Sequence, residues 1–406
     1  MQKACRVLVQ VAGRFLFIGI SVQILLGICW GVRAFGIFPE FGDSYLWLKA
    51  ADTLVCDDYM GIGYPLFLML VKGIESISSI PYTFFVYVIQ LAAAFYSSVL
   101  FLLSFGVIKK RWMLYWGSLG MMTFPMAMQC HLAVLPNSFG LSCMLLELAA
   151  IIRILRSEKN AFAEESKRPL HVFLEAALWW TAGTLFVVEN RYLGLVPLVM
   201  LWILHLIRGK QLGRQRVLRE LVLLCATAGI LFTAVSMWQT PGSYGKAENT
   251  IGAAMMRRFA WTHMREGQEY DAWPEDLKAY VSWDDFRTAG YYAGTLESGM
   301  QKTWEDTVGT QEAQKMFWEC AVYHLKAFKS DNIHQIAWDC AGYALPPVLL
   351  QMLLDGRGYE SFSGRNVDIM MTGAPKLTNI LLKYSSWWYL MGIPAMILLV
   401  IGNRFV

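Results

Sequence analysis

The sequence predicts an all-α integral membrane protein with about eight or nine transmembrane helices. Apolar residues make up 56% of the 406 residues, charged residues only 16%, and the mean hydropathy is +0.40. Soluble domains carry about a quarter charged residues. The apolar residues also come in runs of about 20, the length of an α-helix that crosses a hydrocarbon core roughly 30 Å thick. These observations exclude a water-soluble fold.

The net charge and the cysteines indicate neither nucleic-acid binding nor a cysteine-based metal site. The formal net charge of +4 does not indicate nucleic-acid binding, because in a membrane protein the position of Lys and Arg matters more than their total. The eight cysteines form no CxxC pair and no Cys/His cluster with metal spacing, so unpaired thiols are expected. Lys3 and Arg6 precede the first apolar run without a cleavage site, which favours a retained anchor over a signal peptide.

The basic clusters predict which side each loop faces, because cytoplasmic loops are enriched in Lys and Arg. With the N-terminus in the cytoplasm, a first span at residues 15–35 leads to an acidic outside loop, residues 37–81 (the first loop). Its apolar piece, residues 64–71, is short and is predicted to be a juxtamembrane or re-entrant helix. The span at residues 82–108 then returns the chain to a basic cluster that begins at Lys109.

Further spans are predicted at residues 112–128, 139–155, 221–238, 333–354 and 377–401. The apolar block 170–207 would be about 57 Å long as one helix, nearly twice the hydrocarbon thickness, so it is predicted to be a hairpin. Its charged interruption at Glu189 to Arg191 marks the outer turn. With this threading the basic clusters lie on the inner side.

Composition divides the chain into three parts. Residues 1–238 form a transmembrane module, and residues 333–406 form the C-terminal transmembrane helices. Residues 239–332 between them are polar, slightly acidic and rich in Trp and Tyr, without a spanning run. This segment is predicted to be extracytoplasmic and built from short helices, because its apolar and charged residues alternate at helical spacing.

Four segments near the predicted outer face follow one another in order along the chain. They are Asp43-Ser44-Tyr45, Pro65-Leu66-Phe67-Leu68, His131 to Asn137, and Asn190-Arg191-Tyr192. In order and placement, over roughly Val7 to Trp238, these segments resemble the GT-C superfamily of integral-membrane glycosyltransferases. The similarity is to the bacterial branch that includes relatives of protein mannosyltransferases and the aminoarabinose transferase of lipid A. Where that family often has an Asp at the end of the His-containing turn, this chain has Asn137.

The resemblance implies an inverting transferase of a bacterial cytoplasmic membrane that moves a sugar from a polyprenyl-phosphate carrier to an extracytoplasmic acceptor. Asp43 matches the catalytic Asp of the family's first outside loop. Because the carrier phosphate is already a stable leaving group, the protein has two tasks. It must take a proton from the acceptor, which suits Asp43, and hold the departing phosphate, which suits Arg191. A single displacement would invert the anomeric carbon.

The other predicted substrate-binding residues lie in the same places. They are Glu40, Tyr45, Asp57, Asp58 and Tyr64 in the first loop, His131 in the next turn, and Asn190 beside Arg191. Two interpretations stay open for Asp57 and Asp58: solvated carboxylates, or ligands of a divalent cation or an amino-sugar. Asp43 is also a favoured helix N-cap residue, and Arg191 is able to snorkel to the headgroups. No other cofactor is predicted.

Two other functions stay open. One is a non-enzymatic transporter or flippase of a lipid-linked glycan, although such proteins usually show internal repeats and broken mid-membrane helices. The other is a GT-C-like scaffold without catalysis, which Asn137 keeps open. Glu147 lies within a predicted span, where a charged group is costly unless it is paired or faces water. The sequence names no partner for it.

Overall fold

The computed structural model describes residues 2–34, 44–56, 60–106, 108, 110–160, 169–188, 190–207, 214–238 and 375–402, with short pieces between 275 and 326. Glu40, Asp43, Asp57 and Asp58 lie outside the described residues, as do the predicted span 333–354 and most of segment 239–332. The chain divides into two compact units, Gln239–Ala344 and a unit that joins Met1–Trp238 with Leu345–Val406. The second of these contains the helices below.

The described residues are almost entirely helical. Their helices, in chain order, are α1 (Gln2–Ala34), α2 (Ser44–Thr53), α3 (Gly63–Ser78), α4 (Tyr82–Ser104), α5 (Arg111–Met122), α6 (Pro125–Leu132), α7 (Asn137–Asn160), α8 (Pro169–Phe186), α9 (Asn190–Leu193), α10 (Leu195–Ile207), α11 (Arg214–Trp238) and α12 (Pro375–Gly402). No strand occurs among them, and one isolated antiparallel bridge joins Met60 to Val187. The all-α prediction holds for this part of the chain.

Five helices of the described part are long and apolar enough to cross a membrane. They are Arg6–Arg33, Tyr82–Ser104, Asn137–Arg156, Asn190–Ile207 and Val217–Trp238. Their number is typical of a multi-pass membrane protein. The total of eight or nine spans stays a prediction.

The first-loop helix and the hairpin have the predicted form. α3 has 16 residues, about 24 Å at 1.5 Å per residue, which is shorter than a transmembrane helix requires. Lys72 on α3 forms a 2.7 Å ion pair with Asp52 on α2, so the two short helices are tied together. The apolar block breaks between Phe186, the last residue of α8, and Asn190, the first of α9. The break lies at the predicted outer turn.

The predicted span at residues 112–128 is not one continuous helix. α5 ends at Met122, and α6 begins at Pro125 after an extended residue, Phe124, with ψ of 133°. A residue before proline is pushed out of the helical region because the proline ring clashes with it. Proline itself is well placed at the first position of a helix. The chain therefore passes from the end of α4 to the start of α7 as two short helices.

Contacts between helices fix their relative directions. Gln90, near the start of α4, donates hydrogen bonds to the backbone that precedes α7. Arg156, near the end of α7, donates a 2.6 Å hydrogen bond to the carbonyl of Ser104 at the end of α4. α4 and α7 therefore run in the same direction. α8 runs against α7, because Glu175 near its start pairs at 2.5 Å with Arg153 near the end of α7.

α10 and α11 form the next antiparallel pair. His205 near the end of α10 lies 2.6 Å from Glu220 near the start of α11, and the rings of Tyr192 and Phe232 meet at the other end of the pair. We call the end that holds α2, α3, the start of α7 and the α8–α9 turn the first-loop end. Lys110, Arg153 and Arg156 lie at the opposite end, where α4 and α7 finish, whereas Lys49, Lys72 and Arg191 lie at the first-loop end.

The last described helix packs on the first. The hydroxyl of Tyr384 on α12 donates a hydrogen bond to the carbonyl of Gly19 on α1. The indole of Trp388 occupies the space beside Gly19, where an added Cβ would lie 2.0 Å from the ring. Only glycine permits this approach, so α12 is seated in a notch of α1.

Candidate functional site

The start of α2 is fixed on the backbone that leads into α7. Ser44, the first residue of α2, is fully buried, and its hydroxyl donates a 2.9 Å hydrogen bond to the carbonyl of Val134. Asp43 precedes Ser44 directly in the chain. The residue next to the predicted catalytic Asp is thus anchored at the first-loop end. Tyr45 follows it with a side chain that is 61% exposed, so its hydroxyl is open to a ligand.

A buried polar network lies beneath the first loop. The hydroxyl of Tyr64 on α3 donates a 3.1 Å hydrogen bond to Oε1 of Gln90 on α4. Nε2 of Gln90 donates to the carbonyls of His131 at 2.9 Å and Ala133 at 3.0 Å. Burial, together with the nearby Tyr87 and Tyr82, raises the pKa of Tyr64 well above its usual value. Tyr64, predicted to bind substrate, thus has its hydroxyl engaged in holding α3 on α4.

His131, also predicted to bind substrate, is only 2% exposed. Its Nδ1 lies 2.8 Å from the hydroxyl of Ser138, which is fully buried as well. Burial lowers the pKa of His131 to about 4, so the ring is neutral at pH 7. A neutral imidazole bonded to a buried serine secures the turn between α6 and α7.

This burial predicts a pH dependence of stability. Between pH 6.5 and about 4, the unfolded chain binds a proton on His131 and the folded protein does not. The free energy of unfolding is therefore highest above this pH range and decreases as the pH falls through it. Relative to His131→Gln, the wild type should lose about 2 kcal/mol between pH 7.5 and 5.0. Thermal unfolding of the purified protein at both pH values measures this loss.

The matched control is His171→Gln on α8, because His171 is exposed. We expect this variant to keep the pH dependence of the wild type. Equal pH dependence in the wild type and His131→Gln would show that His131 does not cause the loss.

The turn between α8 and α9 packs directly on the first loop. Val187 in the turn forms an antiparallel bridge with Met60 in the first loop. The end of α11 reaches the same residue, because the indole Nε1 of Trp238 donates a 3.3 Å hydrogen bond to the carbonyl of Met60. A Cβ at Gly61 would lie 2.2 Å from the carbonyl oxygen of Leu185, so the two backbones approach as closely as glycine allows. The turn and the first loop are therefore one packed assembly.

Asn190 and Arg191 differ in their surroundings. Asn190 is 8% exposed and its Nδ2 donates a weak 3.4 Å hydrogen bond to the carbonyl of Gly140. The guanidinium of Arg191 lies 4.6 Å from the ring centre of Tyr192 and 5.6 Å from that of Phe232, within the range of cation–π attraction. Among the described residues, no acid pairs with Arg191, and its buried Nε has no hydrogen-bond partner. Within the described part of the chain, Arg191 is thus a half-buried positive charge without an acidic partner, and it is suited to an anion.

A metal site is not evident in the described part of the chain, where no group of three His, Cys, Asp or Glu residues converges. Asp57 and Asp58 lie outside that part, so their metal-binding role stays a prediction. Sequence reasoning missed Gln90 and Ser44, which hold the first loop in place. A single Gln in the otherwise apolar run of α4 was the available signal, because polar side chains within spans commonly bond to neighbouring segments.

No protein-family model, curated protein or solved structure matches this chain.

Proposed function

We propose that the chain is an inverting GT-C-type glycosyltransferase that moves a sugar from a polyprenyl-phosphate carrier to an extracytoplasmic acceptor. The observation that supports this most is the meeting of three polar segments at the first-loop end. The contact of Ser44 with Val134 joins the first loop to the turn before α7. The bridge between Met60 and Val187 joins the same loop to the turn that carries Arg191.

The proposed chemistry divides between two residues. Asp43 accepts the proton of the acceptor hydroxyl or amine as that atom bonds to the anomeric carbon. The bond between the anomeric carbon and the phosphate oxygen breaks, and the polyprenyl phosphate leaves with the electron pair. Arg191 stabilises the leaving phosphate through charge-assisted hydrogen bonds. The stacking of its guanidinium on Tyr192 and Phe232 leaves the positive charge available for this purpose.

The basic residues at the ends of α4 and α7 favour a site at the outer face of the membrane, and the resemblance to the bacterial GT-C branch implies a bacterial cytoplasmic membrane. Lys110, Arg153 and Arg156 lie at the opposite end of the bundle from the first loop, and basic residues favour the cytoplasmic side. The first-loop end then faces outward, where a lipid-borne donor and an extracytoplasmic acceptor meet. Segment 239–332 begins after α11, which returns to the first-loop end at Trp238.

Mass spectrometry of lipids that co-purify with the detergent-extracted protein tests the substrate class. We expect a polyprenyl phosphate or its glycoside, enriched over the lipids of a control membrane protein from the same cells. Enrichment of bulk phospholipid alone would contradict the proposal. Reconstitution with the recovered carrier separates a transferase from a transporter or an inactive scaffold, because only the transferase attaches the sugar to an acceptor.

A further inference from the structure

Glu147 is a buried carboxylate in the middle of α7. Its side chain is only 2% exposed, and Oε1 accepts no hydrogen bond from any residue that the structure describes. Its Oε2 lies over Gly194, 2.8 Å from the place where a Cβ would be. A carboxylate in an apolar interior is costly unless a cation or hydrogen-bond donors satisfy it. Among the described residues, Glu147 therefore has no partner of opposite charge.

Glu147 lines a crevice between α7, α8 and the α9–α10 segment. The residues around it are Met144, Glu147, Trp179, Trp180, Gly183, Asn190 and Gly194. A carboxylate among indole rings is the chemistry that binds an ammonium group, since the acid supplies charge and hydrogen-bond acceptors and the rings supply cation–π attraction. An anion would be repelled, and an apolar ligand would leave the acid unsatisfied.

One side of the crevice is fully buried and another is partly exposed. Trp180 is fully buried, and its Nε1 donates to the carbonyls of Asn190 at 3.0 Å and Arg191 at 3.3 Å. Met144 is 36% exposed, and Trp179 is also partly exposed. In the present arrangement the space is too narrow for a water molecule. A ligand enters past Met144, whose unbranched side chain adapts readily.

We infer that this crevice is a binding site for a primary ammonium group, with Glu147 as its counter-ion. Arg191 lies within α9, and Glu147 lies against Gly194, which follows α9. Two groups of opposite charge, neither paired with a counter-charge among the described residues, thus lie beside one short helix. A ligand that carries both a phosphate and a primary amine satisfies both of them. The inference goes beyond the proposed transferase activity, because it concerns binding and holds with or without turnover.

Two pairs of ligands test the inference and distinguish the sources of the amine. Wild-type protein is placed in phosphatidylglycerol nanodiscs, and its unfolding temperature is measured after part of that lipid is replaced by phosphatidylethanolamine or by phosphatidylcholine. In a second arm, glucosamine 1-phosphate is compared with glucose 1-phosphate. In at least one pair the primary-amine member should raise the unfolding temperature by roughly 3 °C or more above its partner.

The response of each pair identifies the source. A response to the lipid pair identifies a headgroup amine, and a response to the sugar pair identifies an amino-sugar. Glu147→Gln, which keeps the shape and removes the charge, should abolish the difference. Glu175→Gln on α8, where the acid is exposed and paired with Arg153, should keep it. No difference in either pair, or a difference that survives in Glu147→Gln, would overturn the inference.

Discussion

Asp43→Asn is expected to slow sugar transfer at least about a hundredfold while the protein still folds and binds its carrier. General-base catalysis typically contributes about 10²- to 10⁴-fold, and an amide cannot accept the proton. The change keeps the shape of the side chain. It also keeps any N-cap hydrogen bond to α2, which begins at Ser44, because Asn caps helices as well as Asp does. A transfer assay in proteoliposomes with purified carrier measures the rate.

Asp52→Asn is the matched control for this experiment. Asp52 lies on the same short helix as Ser44, and its ion pair with Lys72 is largely exposed, so its loss should change stability by less than about 1 kcal/mol. We expect nearly normal transfer in this variant. If Asp43→Asn transferred sugar within a few-fold of the wild-type rate, Asp43 would be a helix cap only. The search for the base would then move to Glu40, Asp57 and Asp58.

Arg191→Ala is expected to weaken binding of the carrier phosphate about 10- to 100-fold. A hydrogen bond to a charged group contributes about 1.5–3 kcal/mol, and each 1.4 kcal/mol is a factor of ten in affinity. Arg191→Lys should weaken binding less, because lysine keeps the charge and loses the bidentate fork. Quantitative native mass spectrometry, or titration of the purified protein with carrier lipid, measures both affinities.

The control for charge alone is Arg219→Ala. Arg219 is an exposed arginine near the start of α11, at the opposite end of that helix from Phe232, and its removal should leave carrier affinity unchanged. Unfolding temperatures of all three variants check that the fold is kept, since Arg191 also contacts Tyr192 and Phe232. Unchanged carrier affinity in Arg191→Ala would rule out the phosphate contact.

The parts of the fold that could be predicted are those that short stretches of sequence determine. The break between α8 and α9 was predictable because one charged tripeptide interrupts an apolar block too long for a single crossing. The length of α3 followed from the polar residues around a short apolar run. The break before Pro125 was also written in the sequence, since proline restricts the residue before it. The apolar character on both sides of Pro125 was wrongly given more weight than that restriction.

The contacts of the candidate site were less predictable, because they join residues far apart in the chain. Gln90 donates hydrogen bonds to backbone carbonyls some 40 positions away. No local sequence pattern predicts that pairing. Histidine often acts in catalysis, yet packing buries His131 against Ser138. Glu147 was recognised as costly in its span. Its crevice is also lined by Trp180 and Gly194. These residues lie on the two arms of the hairpin, and the folding of the hairpin brings them next to Glu147.

The seat of Trp388 beside Gly19 has a consequence for biosynthesis. α1 leaves the ribosome before α12, with about 340 residues between them, which at 5–20 residues per second takes on the order of 20 to 70 s. During that interval Trp388 is not available to fill the notch at Gly19. The contact between α1 and α12 therefore forms late in biosynthesis, after the chain between the two helices has been made.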